Sequence, residues 1–322
     1  MNKLIILIFF LCLTIHSGWS QGKVELQEHF ANLSKGKKVR IDKKTLEAFR
    51  QNAAVIPSLE VYLMSGDKKV QKEALRLTTQ IGKKHQYAVS RIQATNQLLK
   101  ASETLESALL GQVAKSLQQF KRNDFDEAAE KQLTKVIKME RQHLSKFIEL
   151  AGFLQMHEFL EELRFQYKDN KYLRQSIGIA LTRCGDEQKR NNLMKNVAKY
   201  RVNDEFVYSI LPKLVYARQK ETTNYLFDII LKDHKGCSSS NHDHGHSGHD
   251  HHHTHDGHNH EHASINCAYR VMEAIAPYVK DIPLHLSASG DLMVTDYKQA
   301  LQTTRDWITA NRDQYELNTD IY

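Results

Sequence analysis

Two stretches of the chain decide its fold: DNKYLRQSIGIALTRC at 169–184 and NDEFVYSILPKLVYAR at 203–218. Each begins with Asp and Asn, which cap helices, and continues with apolar residues at the three- and four-residue spacing of a buried helix face. A shift of 34 residues superimposes the apolar positions of the two stretches. The matched pairs are Tyr172 with Phe206, Leu173 with Val207, Ile177 with Leu211, and Leu181 with Val215. The two stretches therefore predict a repeated helical unit.

The same helical period extends over most of the remaining chain, and no stretch alternates as a convincing strand. Residues that are able to cap a helix precede the apolar runs. Helix starts are predicted at Asp42, Asp67, Asn123–Asp124, Asp169, Asp186, Asn203–Asp204 and Asp296. Pro212 is expected to kink its helix, because proline has no backbone N–H. The sequence therefore predicts an all-α fold.

The order of cap, apolar helix, turn and second apolar helix resembles HEAT and armadillo repeats, most clearly over 155–235. The resemblance implies an α-solenoid, in which antiparallel helix pairs stack and bury a continuous core. It covers 42–155 less clearly and resumes at 265–279 and 297–311. A bundle of long helices over 42–155, followed by a solenoid, is the alternative architecture.

Residues 1–20 predict a secretory signal peptide. Lys3 precedes an apolar run at 4–15, and the small residues Gly18 and Ser20 favour cleavage after Ser20. The run is shorter than the ~20 residues of a membrane helix, and no later stretch approaches that length. We expect an extracytoplasmic protein, periplasmic or secreted, with no transmembrane segment after the signal peptide. A lipid anchor at Cys12 and an uncleaved anchor are the less favoured alternatives.

A second decisive stretch is NHDHGHSGHDHHHTHDGHNHEH at 241–262. Because it has almost no side chain that would build a core, we predict a long disordered His-rich loop over 235–264. Helical repeats over 21–234 precede the loop, and helices over 265–322 complete the same domain. Neutral imidazole binds Zn²⁺, Cu²⁺ and Ni²⁺. The candidate metal ligands are His242, His244, His246, His249, His251, His252, His253, His255, His258, His260 and His262.

Overlapping subsets of three or four of these imidazoles predict several labile metal sites, which favours buffering, delivery or metal-dependent docking over catalysis. In composition, the loop resembles the His-rich loops of extracytoplasmic zinc-binding proteins and of zinc transporters. Zn²⁺ is therefore the first expectation, with Cu²⁺ or Ni²⁺ as alternatives. Two other interpretations stay open. The loop is a linker that binds metal only when metal is offered, or it senses protons, since histidine titrates near pH ~6.5.

Three cysteines follow the signal peptide: Cys184, Cys237 and Cys267. Cys237 and Cys267 flank the histidines. We favour a disulfide between them, because disulfides persist outside the cytoplasm. Thiolate ligands for the metal and unpaired cysteines are the alternatives. Cys184 is expected to be a small buried residue in a helix.

Motifs for catalysis are absent from the sequence, including a Gly-rich phosphate loop and G-x-S-x-G, so no enzymatic activity is predicted. The pairs Glu140-x-x-His143 and His157-Glu158-x-x-Glu161 lack the further ligands of di-iron and zincin sites, and they are interpreted as solvated helix faces. His29 and His85 lie beside polar residues and are also expected to be exposed.

The formal net charge of +7 is spread along the chain, which makes nucleic acid an unexpected partner. It favours only a weak attraction to anionic lipid or polysaccharide surfaces. The alternative function is a non-enzymatic scaffold whose solenoid surface binds a protein or a glycan, with the histidine loop incidental.

Overall fold

The computed structural model describes residues 22–140, 142–238, 264–287, 290 and 292–322. The predicted signal peptide and the eleven candidate histidines lie outside the described residues. The chain divides into two compact units: the first is Met1–Cys184 with Asp320–Tyr322, and the second is Gly185–Thr319. The sequence predicted a single domain over 21–234, and no motif marked a boundary between units at Gly185. The φ of Gly185 is +90°.

The described part of the first unit is helical. Its α-helices are α1 (22–34), α2 (Lys43–Gln51), α3 (Val55–Leu63), α4 (Lys68–Gly82), α5 (Ala88–Ala101), α6 (Ser107–Leu117), α7 (Glu127–Lys138), α8 (Leu144–Phe153), α9 (His157–Gln166) and α10 (Lys171–Arg183). A short 3-10 helix at Arg122–Asp124 precedes α7.

The second unit is also mainly helical, with one short ladder. Its elements are α11 (Glu187–Val197), α12 (Asp204–Ser209), α13 (Leu211–Ala217), α14 (Lys220–Leu231), β1 (Lys235–Ser238), β2 (Ser264–Asn266), α15 (Ala268–Ile275) and α16 (Tyr297–Asn311). The helical content of both units confirms the all-α prediction in its coarse form. The two strands correct the expectation that the loop begins at residue 235, since its two predicted ends pair with each other.

Side-chain caps begin many of these helices at the predicted residues. The carboxylates of Asp42, Asp67, Asp186 and Asp296 each accept a hydrogen bond from a backbone N–H in the first turn. Asn203 caps α12 in the same way. The helix is broken at Ile210, two residues before Pro212, so the predicted kink is a complete interruption.

Two predicted caps are wrong by one to three residues. Asn170 and not Asp169 caps α10, and Asp126 caps α7. Asp124 has a different role, because it is buried and its carboxylate accepts a hydrogen bond from Arg91 Nε at 2.7 Å. The other carboxylate oxygen accepts a hydrogen bond from Lys121 N at 3.0 Å, so Asp124 caps the short 3-10 helix and not α7.

Helices α3 to α10 pack through apolar faces. Most of them contact the next helix and the next but one: α3 contacts α4 and α5, α4 contacts α5 and α6, and α8 contacts α9 and α10. Ile177 and Leu181 of α10 are fully buried in this core, as predicted. Tyr172 is 66% exposed, although its counterpart Phe206 is buried, so the match between the two predicted repeats fails at this position.

The second unit has its own core, to which Phe206, Phe227, Ile230, Val271 and Ile308 contribute. Trp307 packs edge-on against Phe227, with ring centroids 6.5 Å apart. Ile308 is therefore part of this core, and Trp307 is partly buried against it.

The last three residues pack on the first unit. Arg122 N donates to Asp320 O at 3.0 Å, and Arg183 Nη2 donates to Ile321 O at 2.9 Å. The ring of Tyr322 lies edge-on to Phe153, and its hydroxyl donates to Glu149 Oε2 at 3.0 Å. These three residues therefore belong to the first unit.

Two histidines that were expected to be exposed are buried. His29 of α1 places Nε2 3.0 Å from Glu73 Oε1, and Arg76 also binds Glu73, with Nη2 2.6 Å from Oε1. His85 contacts the Asn52 carbonyl oxygen at 3.3 Å, and burial lowers the pKa of its imidazole. The polar residues next to them in the sequence are exposed, so the polarity of the local sequence led to a wrong prediction.

The other weighed pairs are solvent-facing. Glu140 and His143 are exposed, but they lie in the turn between α7 and α8 with φ of 51° and 65°, and not on a helix face. His157 and Glu158 are exposed in the first turn of α9, as expected, whereas Glu161 is half-buried, with its Oε2 2.7 Å from Arg164 Nη2. No helix among the described residues is long and apolar enough to cross a membrane.

The contacts of Glu73 predict a pH-dependent contribution to stability. Burial alone would raise the pKa of this carboxyl, but hydrogen bonds from Arg76 and His29 outweigh it and lower the pKa to about 2. Because this value lies below 4.5, the value for an unperturbed carboxyl, the stabilisation is complete above pH 4.5 and is lost as the pH falls through about 2. We expect Glu73→Gln to reduce the free energy of unfolding by roughly 1–2 kcal/mol at neutral pH, after allowance for solvent screening.

Urea unfolding followed by circular dichroism at neutral and acidic pH measures this effect, and the difference from wild type should shrink in acid. Glu127→Gln is the matched control, because Glu127 forms an exposed pair with Lys131 and its loss should cost much less. A Glu73→Gln protein as stable as wild type at neutral pH would contradict the assignment.

Candidate functional site

The candidate site is the place where the histidine-rich segment leaves and rejoins the second unit. We call this the base of the segment and define it by β1, β2, the disulfide of Cys237 and Cys267, and the side chains that bind them. The two strands are antiparallel, with Lys235 paired to Asn266, Cys237 to Ile265, and Ser238 to Ser264. The segment between them, 239–263, holds all eleven candidate ligands and lies outside the described residues.

A disulfide joins Cys237 and Cys267, whose Cα atoms are 5.2 Å apart. Both residues are almost completely buried, at 2% and 0% exposure. Of the alternatives that the sequence left open, the structure has the disulfide. The two sulfurs are bonded to each other, so they are not available as thiolate ligands. Cys184 is half-buried and lies 3.6 Å from the Gly152 carbonyl oxygen.

A β-bulge lies between Lys235 and Cys237, and it contains Gly236. A Cβ atom at Gly236 would lie 3.1 Å from the Val202 carbonyl oxygen, tighter than most contacts of real Cβ atoms. Glycine therefore lets the strand approach the chain that precedes α12. This close approach positions Cys237 next to β2.

Asp204, in the first turn of α12, fixes the end of β1. Its carboxylate accepts hydrogen bonds from Ser238 N at 3.0 Å and from Ser238 Oγ at 2.7 Å. Ser238 is the last described residue before the histidines. Asp204 was predicted only as part of a helix start, because nothing local in the sequence links it to a residue 34 positions later.

Asn266 fixes the other side of the base. Its Oδ1 accepts hydrogen bonds from His234 N and Ala268 N, each at 3.1 Å, and its Nδ2 donates to Asp233 Oδ1 at 2.6 Å. Cys267 N donates to His234 O at 2.9 Å. One amide side chain therefore connects the residues before β1 to the start of α15.

Arg305 of α16 binds the C-terminal end of α14 and the chain that follows it. Its Nε donates to Ile230 O at 2.7 Å, and its Nη2 donates to Asp233 Oδ1 at 2.7 Å. This hydrogen bond lowers the pKa of the Asp233 carboxyl. Because a cation favours the carbonyl end of a helix, Arg305 stabilises both α14 and the base.

Among the described histidines, His234 lies nearest to the base, and it is not one of the candidate ligands predicted from the sequence. Burial, with a smaller effect of the Lys232 charge, lowers the pKa of its imidazole. Its Nε2 is shielded from solvent, and no polar atom of the described residues is hydrogen-bonded to it. His234 is therefore neutral at neutral pH and turned inward, and it differs from the solvent-accessible donors expected of a metal-exchanging site.

A polar groove of about 560 Å³ adjoins the base, and Asp233, Asn266, Asp296, Gln299 and Arg305 are among its lining residues. Both of its carboxylates are engaged: Asp233 binds Arg305, and Asp296 caps α16. None of its described lining residues is a histidine or a cysteine. This donor set does not match that of a zinc site.

His285 is exposed in the segment after Pro283. Its carbonyl oxygen accepts a hydrogen bond from Met293 N at 2.8 Å, beside the bridge between Leu286 and Leu292. No described contact joins it to the base.

No family model, curated protein or solved structure matches this chain.

The disulfide predicts a reduction-sensitive second unit. We expect the double variant Cys237→Ala/Cys267→Ala to lose roughly 3–4 kcal/mol of unfolding free energy, since the bond closes a loop of about thirty residues. Trp307 is the only tryptophan after residue 20, so its fluorescence reports urea unfolding of the second unit.

Wild-type protein unfolded in the presence of a reductant should approach the double variant. Cys184→Ala is the control, and it should retain the wild-type response to reductant. Equal unfolding midpoints for wild type and the double variant would show that the disulfide does not stabilise this unit.

Proposed function

We propose that this is an extracytoplasmic helical protein that binds transition-metal ions through its histidine-rich segment, for buffering, delivery or metal-dependent interaction. Zn²⁺ is the first candidate ion, and Cu²⁺ and Ni²⁺ are the others. The single observation that carries the proposal is the presence of eleven histidines between two cysteines that form a disulfide. We propose no enzymatic activity.

The chemistry of the segment supports a labile pool of sites. Imidazole is a good ligand for all three ions, and Asp243, Asp250, Asp256 and Glu261 add carboxylate oxygens. Because many subsets of imidazoles provide three or four donors, the loss of one ligand is compensated by a neighbour. Such a pool suits capture and release, whereas catalysis needs a fixed geometry.

The base of the segment supports the proposed location of the protein. A buried disulfide is stable in an oxidising compartment and rare in the cytosol. It agrees with the predicted signal peptide at 1–20, and the two features are independent of each other. Metal uptake from the extracytoplasmic space is consistent with both.

We also propose that helices α3 to α10 form a short solenoid of stacked helix pairs. Contacts between alternate helices, such as α4 with α6, α6 with α8 and α8 with α10, support this arrangement. Helices of a solenoid contact both their own partner and the equivalent helix of the next pair. A bundle of the same helices is the alternative.

A second candidate function is a scaffold that binds a partner on its surface. The observation that favours it is a lysine-rich groove in the first unit, whose ligand is inferred in the next subsection. The two functions occupy different parts of the chain and are separable by mutation.

Deletion of the segment tests the metal proposal. Ser238 and Ser264 pair across the ladder, so residues 239–263 can be replaced by Asn-Gly, which favours a two-residue hairpin. We expect wild type to bind several Zn²⁺ ions per chain in competition with a chromophoric chelator, and the deletion variant to bind none. Below pH ~6.5 the imidazoles are protonated, and we expect affinity to fall about tenfold for each ligating imidazole and pH unit.

A variant with all eleven histidines replaced by Gln keeps the length of the segment and separates imidazole chemistry from chain length. It should behave as the deletion does. Binding of a single Zn²⁺ that survives both changes would overturn the proposal.

A further inference from the structure

The first unit has a groove of about 480 Å³ along one face of α4, bounded by α1 and α6. Lys69, Lys72, Arg76 and Lys83 line it. Their spacing of three, four and seven residues places them on the same side of the helix, over roughly 20 Å. We call this the basic groove. Its volume lies within the ~300–1,000 Å³ range of small-ligand pockets.

One carboxylate faces these four cations, and it is already neutralised. Glu73 accepts hydrogen bonds from Arg76 and pairs with buried His29. Among the described residues, no carboxylate lies within 4 Å of Lys69 Nζ or Lys72 Nζ. Both lysines are exposed. The two lysines at the open end of the groove therefore retain their charge for a ligand.

Lys83 marks the other end of the groove. Its Nζ donates to Gln119 Oε1 at 2.6 Å. Burial, together with the nearby charges of Lys84 and Arg50, lowers the pKa of the Lys83 ammonium. Because Lys83 lies at one end of the groove and Lys69 and Lys72 at the other, the site favours a ligand with negative charge at more than one position.

The remaining lining is neutral and rich in hydrogen-bonding groups. Gln80, Gln112 and Gln119 line it with amides. Gln80 Oε1 accepts a hydrogen bond from Arg76 Nη1, and Gln119 accepts from Lys83 and donates to the Lys115 carbonyl oxygen. The Gln112 amide and Gln80 Nε2 are therefore the amide groups that the groove offers to a ligand. Leu75 is 2% exposed and, with Leu33, forms a small apolar floor. No aromatic side chain lines the groove, so it lacks the stacking platforms that single-stranded nucleic acids require.

We propose that the basic groove binds an acidic saccharide, in which carboxylate or sulfate groups pair with the lysines and hydroxyl groups pair with the glutamines. Hydroxyl groups both donate and accept hydrogen bonds, so a sugar ring can pair with the Gln112 amide and with Gln80 Nε2. The small floor suits the apolar face of a sugar better than a bulky side chain of a peptide. This site is independent of the histidine segment and of any metal.

Titration calorimetry of the full chain with an oligogalacturonate tests the proposal. The buffer contains a chelator, so that metal ions on the histidine segment do not bridge protein and sugar. We expect saturable binding that weakens with salt, and no binding of the methyl-esterified oligosaccharide, which keeps the hydroxyl groups and lacks the charge.

The double variant Lys69→Gln/Lys72→Gln should bind at least about tenfold more weakly, since two charge-assisted contacts are lost. Lys168→Gln/Lys171→Gln is the matched control: it removes the same charge from exposed lysines of the same unit, outside the groove, and should bind as wild type does. Circular dichroism checks that each variant is folded.

Three results would overturn the proposal. Equal weakening by the two double variants would show that the net charge, and not the groove, attracts the sugar. Tighter binding of an acidic peptide such as oligoaspartate would assign the groove to a protein partner. Absence of heat or chemical-shift change at millimolar oligogalacturonate would show that the groove does not bind this class of ligand.

Discussion

The disulfide between Cys237 and Cys267 is the constraint on which the candidate site depends. It joins the two ends of a segment whose sequence is almost without apolar residues, and it does so inside the second unit, where both cysteines are buried. The hydrogen bonds of Asp204 to Ser238 and of Asn266 to the residues before β1 act in the same direction. Because these contacts fix the place where the chain re-enters the unit, the long segment does not disturb the packing of the helices around the base.

Much of the fold was predictable because helix caps are local. Asp42 and Asp67 bind N–H groups two or three residues away, so the signal and its effect lie in the same short window of sequence. Burial is different. His29 of α1 is buried where it contacts Glu73 of α4, 44 residues later in the chain. The polar neighbours of His29 in the sequence had indicated an exposed side chain. The boundary at Gly185 and the return of Tyr322 to Glu149 are non-local in the same sense.

The candidate site shows the same difference between local features, which were predictable, and non-local contacts, which were not. Its candidate ligands and its cysteines are evident from composition, since no folding information is needed to count imidazoles. The residues that hold the base were not identified, because Asp204 and Arg305 act across 34 and 72 residues of chain. The basic groove was missed for a related reason. Its lysines look like the solvated face of an ordinary amphipathic helix until α1 and α6 supply the walls that turn this face into a groove.

The closed base also has a consequence for metal affinity. A metal ion that takes imidazoles from both halves of the segment must bring distant parts of the chain together, and the entropy of that closure opposes binding. In this protein the disulfide already joins the two ends of the segment. A metal ion that bridges two parts of the segment would therefore close a loop inside a chain whose ends are held together. The cost of ordering the segment falls accordingly, by an amount that grows only with the logarithm of loop length. The disulfide therefore links folding of the second unit to the proposed metal pool, although its sulfurs are not themselves ligands.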